Sequence, residues 1–110
     1  MISKVHDTYV LLRDEHDDIN SFARFLPGIF EQFEGKNVII DLLQYSSATL
    51  PELLSFLELS NSHRASKQSF VIVNAALSID EIPEELMVVP TLQEAQDVIE
   101  MEEIERDLGF

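Results

Sequence analysis

The stretch Asn37–Leu59, NVIIDLLQYSSATLPELLSFLEL, constrains the fold more than any other part of the chain. Val38, Ile39, Ile40, Leu42 and Leu43 form a nearly continuous apolar run of β-forming residues, interrupted only by Asp41. Such a run suits a parallel strand covered on both faces, because a strand with one wet face alternates apolar and polar residues. From Tyr45 to Thr49 the residues are mostly small and polar and read as a surface connection. Thr49 and Glu52 then fit a T-x-x-E capping box, in which hydroxyl and carboxylate satisfy backbone donors that the first helical turn leaves free. Pro51 agrees with a helix start there, since a first-turn proline gives up no hydrogen bond the helix would use. Leu53, Leu54, Phe56 and Leu57 supply the apolar stripe of that helix. Any activity is expected in the loop between strand and helix.

The flanking segments extend the pattern. Ile2–Val5 and Tyr9–Arg13 are short β-prone runs separated by His6, Asp7 and Thr8, which reads as a hairpin whose second, more apolar arm lies deeper in the sheet. Asp14 to Asp18, DEHDD, is a charged loop whose last carboxylates favour the N-terminus of a following helix. Ile19, Phe22, Ala23, Leu26, Ile29, Phe30 and Phe33 recur at steps of three and four, a helical stripe. Pro27 and Gly28 kink that helix or divide it in two with Pro27 opening the second piece, and Gly35 ends it. After a polar break at Ser66 to Ser69, Phe70–Val73 is a second buried-type strand closed by Asn74. Ser78 and Glu81 repeat the S-x-x-E signature over a single turn, and Met87, Val88 and Val89 form a last short strand stopped by Pro90. Thr91 and Glu94 give a third capping box, after which Leu92, Ala95, Val98, Ile99, Met101, Ile104 and Leu108 are expected to mark the buried side of a long terminal helix. Phe110 either folds back as an apolar cap or hangs free.

The order β-β-α-β-α-β-β-α implies a mixed, mostly parallel sheet of about four to five strands with three main helices, since parallel neighbours need a crossover of a dozen or more residues. At 110 residues the chain is read as a single α/β domain spanning residues 1–110. No cysteine is present, which excludes a disulfide framework and thiolate metal sites and suits a reducing compartment. The N-terminus lacks a basic flank with an apolar core, and no apolar run approaches the roughly 20 residues that span a bilayer, so a cytoplasmic protein is expected. Acidic residues number 21 against 7 basic ones, for a net charge of −14. The segment from Asp80 onward holds 11 acidic residues and one basic residue, Arg106. Nucleic acid and anionic membrane are thereby disfavoured as partners, because both are bound by Lys and Arg neutralising phosphate. The acidic end itself reads as a solvated helix face.

The series hairpin, helix, strand ending in D-L, loop, helix and strand resembles the STAS domain, the fold of bacterial anti-sigma factor antagonists, over nearly the whole chain. Asp41 and Leu42 match the family's D-L, Leu53 matches the leucine that closes its D-S-S-G-L helix start, and the distance from Leu53 to Phe70–Val73 also fits. Thr49, Leu50, Pro51 and Glu52 stand where the family has Asp, Ser, Ser and Gly. The resemblance implies regulation through a protein partner such as a kinase-type anti-sigma factor, which phosphorylates a serine at this helix start and so ends binding. The departure removes the usual acceptor, because Leu50 and Pro51 carry no hydroxyl. Thr49, Ser46 and Ser47 remain as candidate phosphoacceptors, although a cap already explains Thr49 and ordinary loop serines explain the other two.

Enzymatic readings lack their residues. His6, His16 and His63 are scattered, with no H-x-H or H-E-x-x-H spacing, and neither a G-x-S-x-G elbow nor a phosphate-cradling glycine loop occurs. His63 and Arg64 read as partners of a helix C-terminus, and His16 beside Asp17 and Asp18 as part of a solvated loop. No catalytic residue, cofactor or metal is therefore assigned. The expected function is a non-catalytic interaction module that docks a protein partner through Thr49, Leu50, Pro51 and Glu52, with an exposed Leu50 as apolar anchor. The alternative is a structural or small-ligand-binding unit that assembles as a homodimer, which an exposed apolar patch on the hairpin or first helix would favour.

Overall fold

In the computed structural model, which describes residues 1–109, five strands form one sheet in the order β1-β2-β3-β4-β5. Phe110 lies outside the described residues. β1 (Ile2–Val5) and β2 (Val10–Arg13) are the antiparallel hairpin, and β3 (Val38–Asp41), β4 (Phe70–Val73) and β5 (Val88–Val89) follow as parallel neighbours. β1 is the exposed edge and β2 is buried, as the greater apolarity of the second arm predicts. The central strands are buried on both faces, which is why Val38–Ile40 and Phe70–Val73 tolerate no alternation.

Helices α1 (Ile19–Phe25), α2 (Leu50–Leu54), α3 (Leu57–Ala65) and α4 (Leu92–Asp107) cover the sheet. Two faces result from the period-two alternation of the strands. Val10, Leu12, Val38, Ile40, Phe70 and Ile72 point into a core shared with α1, α2 and α3. Leu11, Ile39, Val71 and Val73 point the other way, onto Ala95 and Ile99 of α4.

The first helical stripe is buried as its spacing predicts, yet the backbone that carries it is not one helix. α1 gives way at Leu26–Gly28 to a 3-10 turn containing Pro27, and a second 3-10 turn spans Phe30–Phe33. Both turns still deliver Leu26, Phe30 and Phe33 to the core. Gly35, at φ 74, then reverses the chain into β3 in a conformation that glycine adopts without strain. The helix after β3 is also divided. At its midpoint Ser55 and Phe56 donate to the carbonyls three residues back, Glu52 and Leu53, and the Ser55 hydroxyl adds a second bond to the Glu52 carbonyl. This tighter turn lets Leu53 and Phe56 both enter the core, and burying one such side chain contributes about 1.5–3 kcal/mol.

Three expectations are corrected. Leu43 is exposed, because β3 ends at Asp41 and Leu43 already belongs to the loop. The third capping box is half formed: the Thr91 hydroxyl accepts from Glu94 N at 3.1 Å, but only at Thr49 and Ser78 does the glutamate reach back. Met101, Ile104 and Leu108 are not on the buried side of α4, being 61%, 55% and 67% exposed. At 3.6 residues per turn the core face set by Ala95 and Ile99 continues through Glu102 and Arg106, and the three later apolar residues fall on the far side.

Candidate functional site

In a parallel sheet the connections that leave the carboxyl ends of the strands form the usual site of function, because they converge above the sheet while its elements hold them. Here that end carries Asp14 after β2, the Leu42–Thr49 connection after β3, and Asn74 after β4. Asn74 is buried, and its amide donates to the carbonyls of Leu42 and Tyr45, each at 2.9 Å, while its side-chain oxygen accepts from Ala76 N at 3.0 Å. One side chain thereby fastens the loop after β3 to the loop after β4. Asp41 closes its own strand by accepting from Leu43 N at 3.1 Å, the role expected of a strand-end carboxylate.

A second tie comes from Tyr45, whose hydroxyl donates to the Asp14 carboxylate. Asp14 also accepts from the backbone N–H groups of His16 at 3.1 Å and Asp18 at 3.2 Å. Burial pushes the Asp14 carboxyl up, but the Tyr45 hydroxyl and the backbone donors outweigh it and hold the pKa below the ordinary value. The Tyr45 phenol is pushed up, first by burial and then by the Asp14 carboxylate it faces. Gln44 donates to Asp17 at 3.0 Å, so the charged loop after β2 and the loop after β3 are joined at two points. Asp18 caps α1 by accepting from Ser21 N at 3.1 Å.

Against this frame Ser46, Ser47, Thr49 and Pro51 are exposed, Ala48 is buried, and Leu50 and Glu52 are half-buried. Leu50 is therefore a partly covered edge rather than the exposed anchor that the sequence suggests, and Pro51 after it is turned to solvent. The Thr49 hydroxyl is engaged in both directions, accepting from Glu52 N at 3.4 Å and donating to the Glu52 carboxylate at 3.1 Å, while Thr49 N donates to the same carboxylate at 2.9 Å. Thr49, Leu50, Pro51 and Glu52 form one continuous helix start, with Ser46 and Ser47 on the same connection.

The histidines lie apart. His6 stacks on Tyr9 with ring centroids 4.5 Å apart, and His16 is exposed in the charged loop. His63 does not serve the end of α3: it is buried against Phe30 and Phe70, and its Nε2–H donates to the Lys36 carbonyl at 2.6 Å. Burial pushes its pKa down, partly offset by that hydrogen bond. Arg64 likewise turns from the helix end to the Glu102 carboxylate and the Phe70 carbonyl. Among the described residues no group of three or more His, Asp or Glu is placed to hold a metal ion, and no helix is long and apolar enough to cross a membrane.

Sequence reasoning misses Asn74 and Tyr45, whose tethering depends on which loops the sheet order brings together. It also misses a polar network at the opposite end of the strands. There Asn37, buried before β3, donates to the Thr8 carbonyl at 2.9 Å and to Glu103 at 3.2 Å, and accepts from Ser69 N at 2.8 Å and Arg106 at 3.2 Å. The Ser69 hydroxyl donates to Glu102 at 2.6 Å, completing the attachment of α4.

No family model matches the chain, and no curated protein matches it in sequence. Among solved structures, the NMR structure of the protein TM1081 is similar to it at a TM-score of 0.62 and 20% identity, covering 89% of this chain and 86% of that one. At that identity the likeness is one of fold: a mixed α/β architecture with a mostly parallel five-stranded sheet.

Proposed function

We propose that this chain is a STAS-like, non-catalytic regulatory domain of the cytoplasm, of the bacterial anti-sigma factor antagonist type. It binds a protein partner through the connection after β3 and the start of α2. One observation carries the reading: the Asn74 amide and the Tyr45–Asp14 bond fasten this connection at Leu42 and Tyr45 while Ser46, Ser47, Thr49 and Pro51 face solvent. A surface loop ordered before binding loses little entropy on docking, which favours recognition. Leu50 and Pro51 replace the hydroxyls that a kinase-type partner would phosphorylate, so binding is constitutive or switched only at Thr49, Ser46 or Ser47. Phosphate on Thr49 would break the capping box, because its oxygen could no longer donate to Glu52 and would face that carboxylate.

The test is a pull-down that compares wild type with Leu50→Asp, each checked for an unchanged thermal midpoint. Loss of a partner from the variant supports the docking edge, and an identical set of partners removes it. Incubation with candidate kinases and ATP, read by mass spectrometry, locates any phosphate.

The second reading, a structural or small-ligand-binding unit that assembles as a homodimer, is favoured by the exposure of Val5 on the hairpin and Phe25 at the end of α1. Single exposed apolar residues are ordinary on a monomer, so it ranks below the first. Sedimentation across a range of concentrations decides it.

A further inference from the structure

The edge of the sheet at β5 carries an open apolar groove of about 560 Å³ that begins at Asn74 and is lined by none of Thr49–Glu52, and it does not rest on the reading given for that helix start. Leu77, Ile79 and Ile82 line one side of it and Val98 and Met101 the other, over β5. Ile79 and Met101 at its mouth are 78% and 61% exposed, and large apolar side chains placed together around a concavity mark a binding surface more often than scattered ones do.

The occupant is indicated by charge and by backbone. Glu94 and Asp97 line the groove, Asp80 and Glu81 follow Ile79 directly, and no Lys or Arg is among its lining residues. Arg106, the single basic residue after Asp80, is engaged at the other end of the strands with Ser69 and Asn37. A second copy of this chain would bring the same acidic rim and a further charge of −14. β5 has two residues and is followed by Pro90, which leaves too little backbone for an added strand. Occupancy must therefore come through side chains, as when an amphipathic helix lays its apolar face in a groove.

We propose that this groove receives a basic amphipathic segment of another protein. Its apolar side chains pack on Ile79, Val98 and Met101, and its Lys or Arg residues meet Glu94 and Asp97. Opposite charge at the rim speeds encounter and rejects acidic competitors, and the apolar floor supplies the anchor.

Two synthetic peptides test this, with leucines at the same helical positions and either lysine or glutamate elsewhere, each titrated into the isotope-labelled full chain and followed by NMR. The lysine peptide is expected to move the amides of Ile79, Val88, Val89, Val98 and Met101, and the glutamate peptide to move none. Met101→Asp and Ile79→Ser should each weaken the lysine peptide about tenfold, whereas Leu50→Asp leaves its affinity within about twofold. Because aspartate adds attraction for lysine, a loss with Met101→Asp reads the apolar contact alone. Both groove residues are exposed, and the spectra of the variants report whether the fold is kept. The proposal is overturned by an absence of binding, by equal binding of both peptides, or by shifts spread over the acidic surface that neither groove variant reduces. Movement of the same amides with protein concentration alone would assign the groove to a second copy instead.

Discussion

On the face of the sheet that carries Val38, Ile40, Phe70 and Ile72, α1, α2, α3 and two 3-10 turns pack a core rich in phenylalanine. The face that carries Ile39, Val71 and Val73 is covered by α4 alone. Phe22 and Phe56 meet edge to face with centroids 6.3 Å apart, and Phe30 meets Phe33 at 5.5 Å, so the first face is held by interlocking apolar volume. The second relies on Ala95 and Ile99 in the first half of the helix, with Leu92 and Val98 packed beside them, and on hydrogen bonds in its second half. Area and packing make the first face the main source of stability, and a helix held largely by polar bonds opens more readily.

The largest effect that separates the faces is a cavity. Phe56→Ala should cost about 3–5 kcal/mol, and Ile99→Ala nearer 2 kcal/mol, the lower end for an aliphatic truncation, because the single covering helix can settle into the space. Urea denaturation of both variants measures the difference. An Ile99 penalty equal to that of Phe56 would show that the two faces contribute alike.

The polar attachment comes next. Asn37→Ala removes partners from Thr8, Glu103, Ser69 and Arg106 at once and leaves a buried Ser69 N–H without an acceptor, which costs about 1–3 kcal/mol. Hydrogen exchange should quicken first in the second half of α4 and little in β3 or β4. Uniform quickening over the whole sheet would mean that α4 and the core open as one unit.

The packed face also holds a titratable group, so pH sharpens the contrast. The His63 pKa lies below its ordinary value of 6.5, so between the two values the unfolded chain binds more protons. Stability contributed by neutral His63 is complete above about pH 6.5 and is lost as pH falls through the folded pKa. Thermal midpoints of wild type should decline through that window, and those of His63→Gln should decline less. Parallel curves would place the pH dependence elsewhere.

What the sequence makes legible follows from how local each signal is. The strands Val38–Asp41 and Phe70–Val73, the Thr49–Glu52 box and the start of α4 at Thr91 depend on neighbours within a few residues, and all are present. The end of α3 is hidden for the opposite reason. Lys67 N donates to the Arg64 carbonyl at 3.0 Å and Gln68 N to the His63 carbonyl at 3.4 Å, closing the helix with Lys67 at φ 66 where glycine is usual. Without that glycine nothing in the chain announces the motif. The candidate site is legible in the same way: its helix start is local and visible, whereas Asn74, about thirty residues beyond Tyr45, acts on it only because β4 lies beside β3. The buried side of α4 misleads because its apolar residues divide between two faces, and a stripe read by composition joins them.

That division yields the smallest expected effect and the finest distinction between the faces. Met101, Ile104 and Leu108 look in sequence like core residues and are exposed. If α4 is held by Leu92, Ala95, Val98, Ile99 and the polar bonds of Gln96, Glu102, Glu103 and Arg106, replacing any one of the three by glutamine removes no packed volume and strands no buried donor. Each change should then alter stability by no more than about 0.5 kcal/mol, the ordinary range for surface substitutions, with urea midpoints close to wild type. A cost above about 1 kcal/mol for Ile104→Gln would mean that the far side of α4 is covered in solution, and dependence of that cost on protein concentration would identify the cover as a second molecule. A neutral result instead leaves these side chains without a role in folding. Of the three, Met101 lines the groove beside Glu94 and Asp97, whereas Ile104 and Leu108 are exposed apolar residues of the kind any monomer carries.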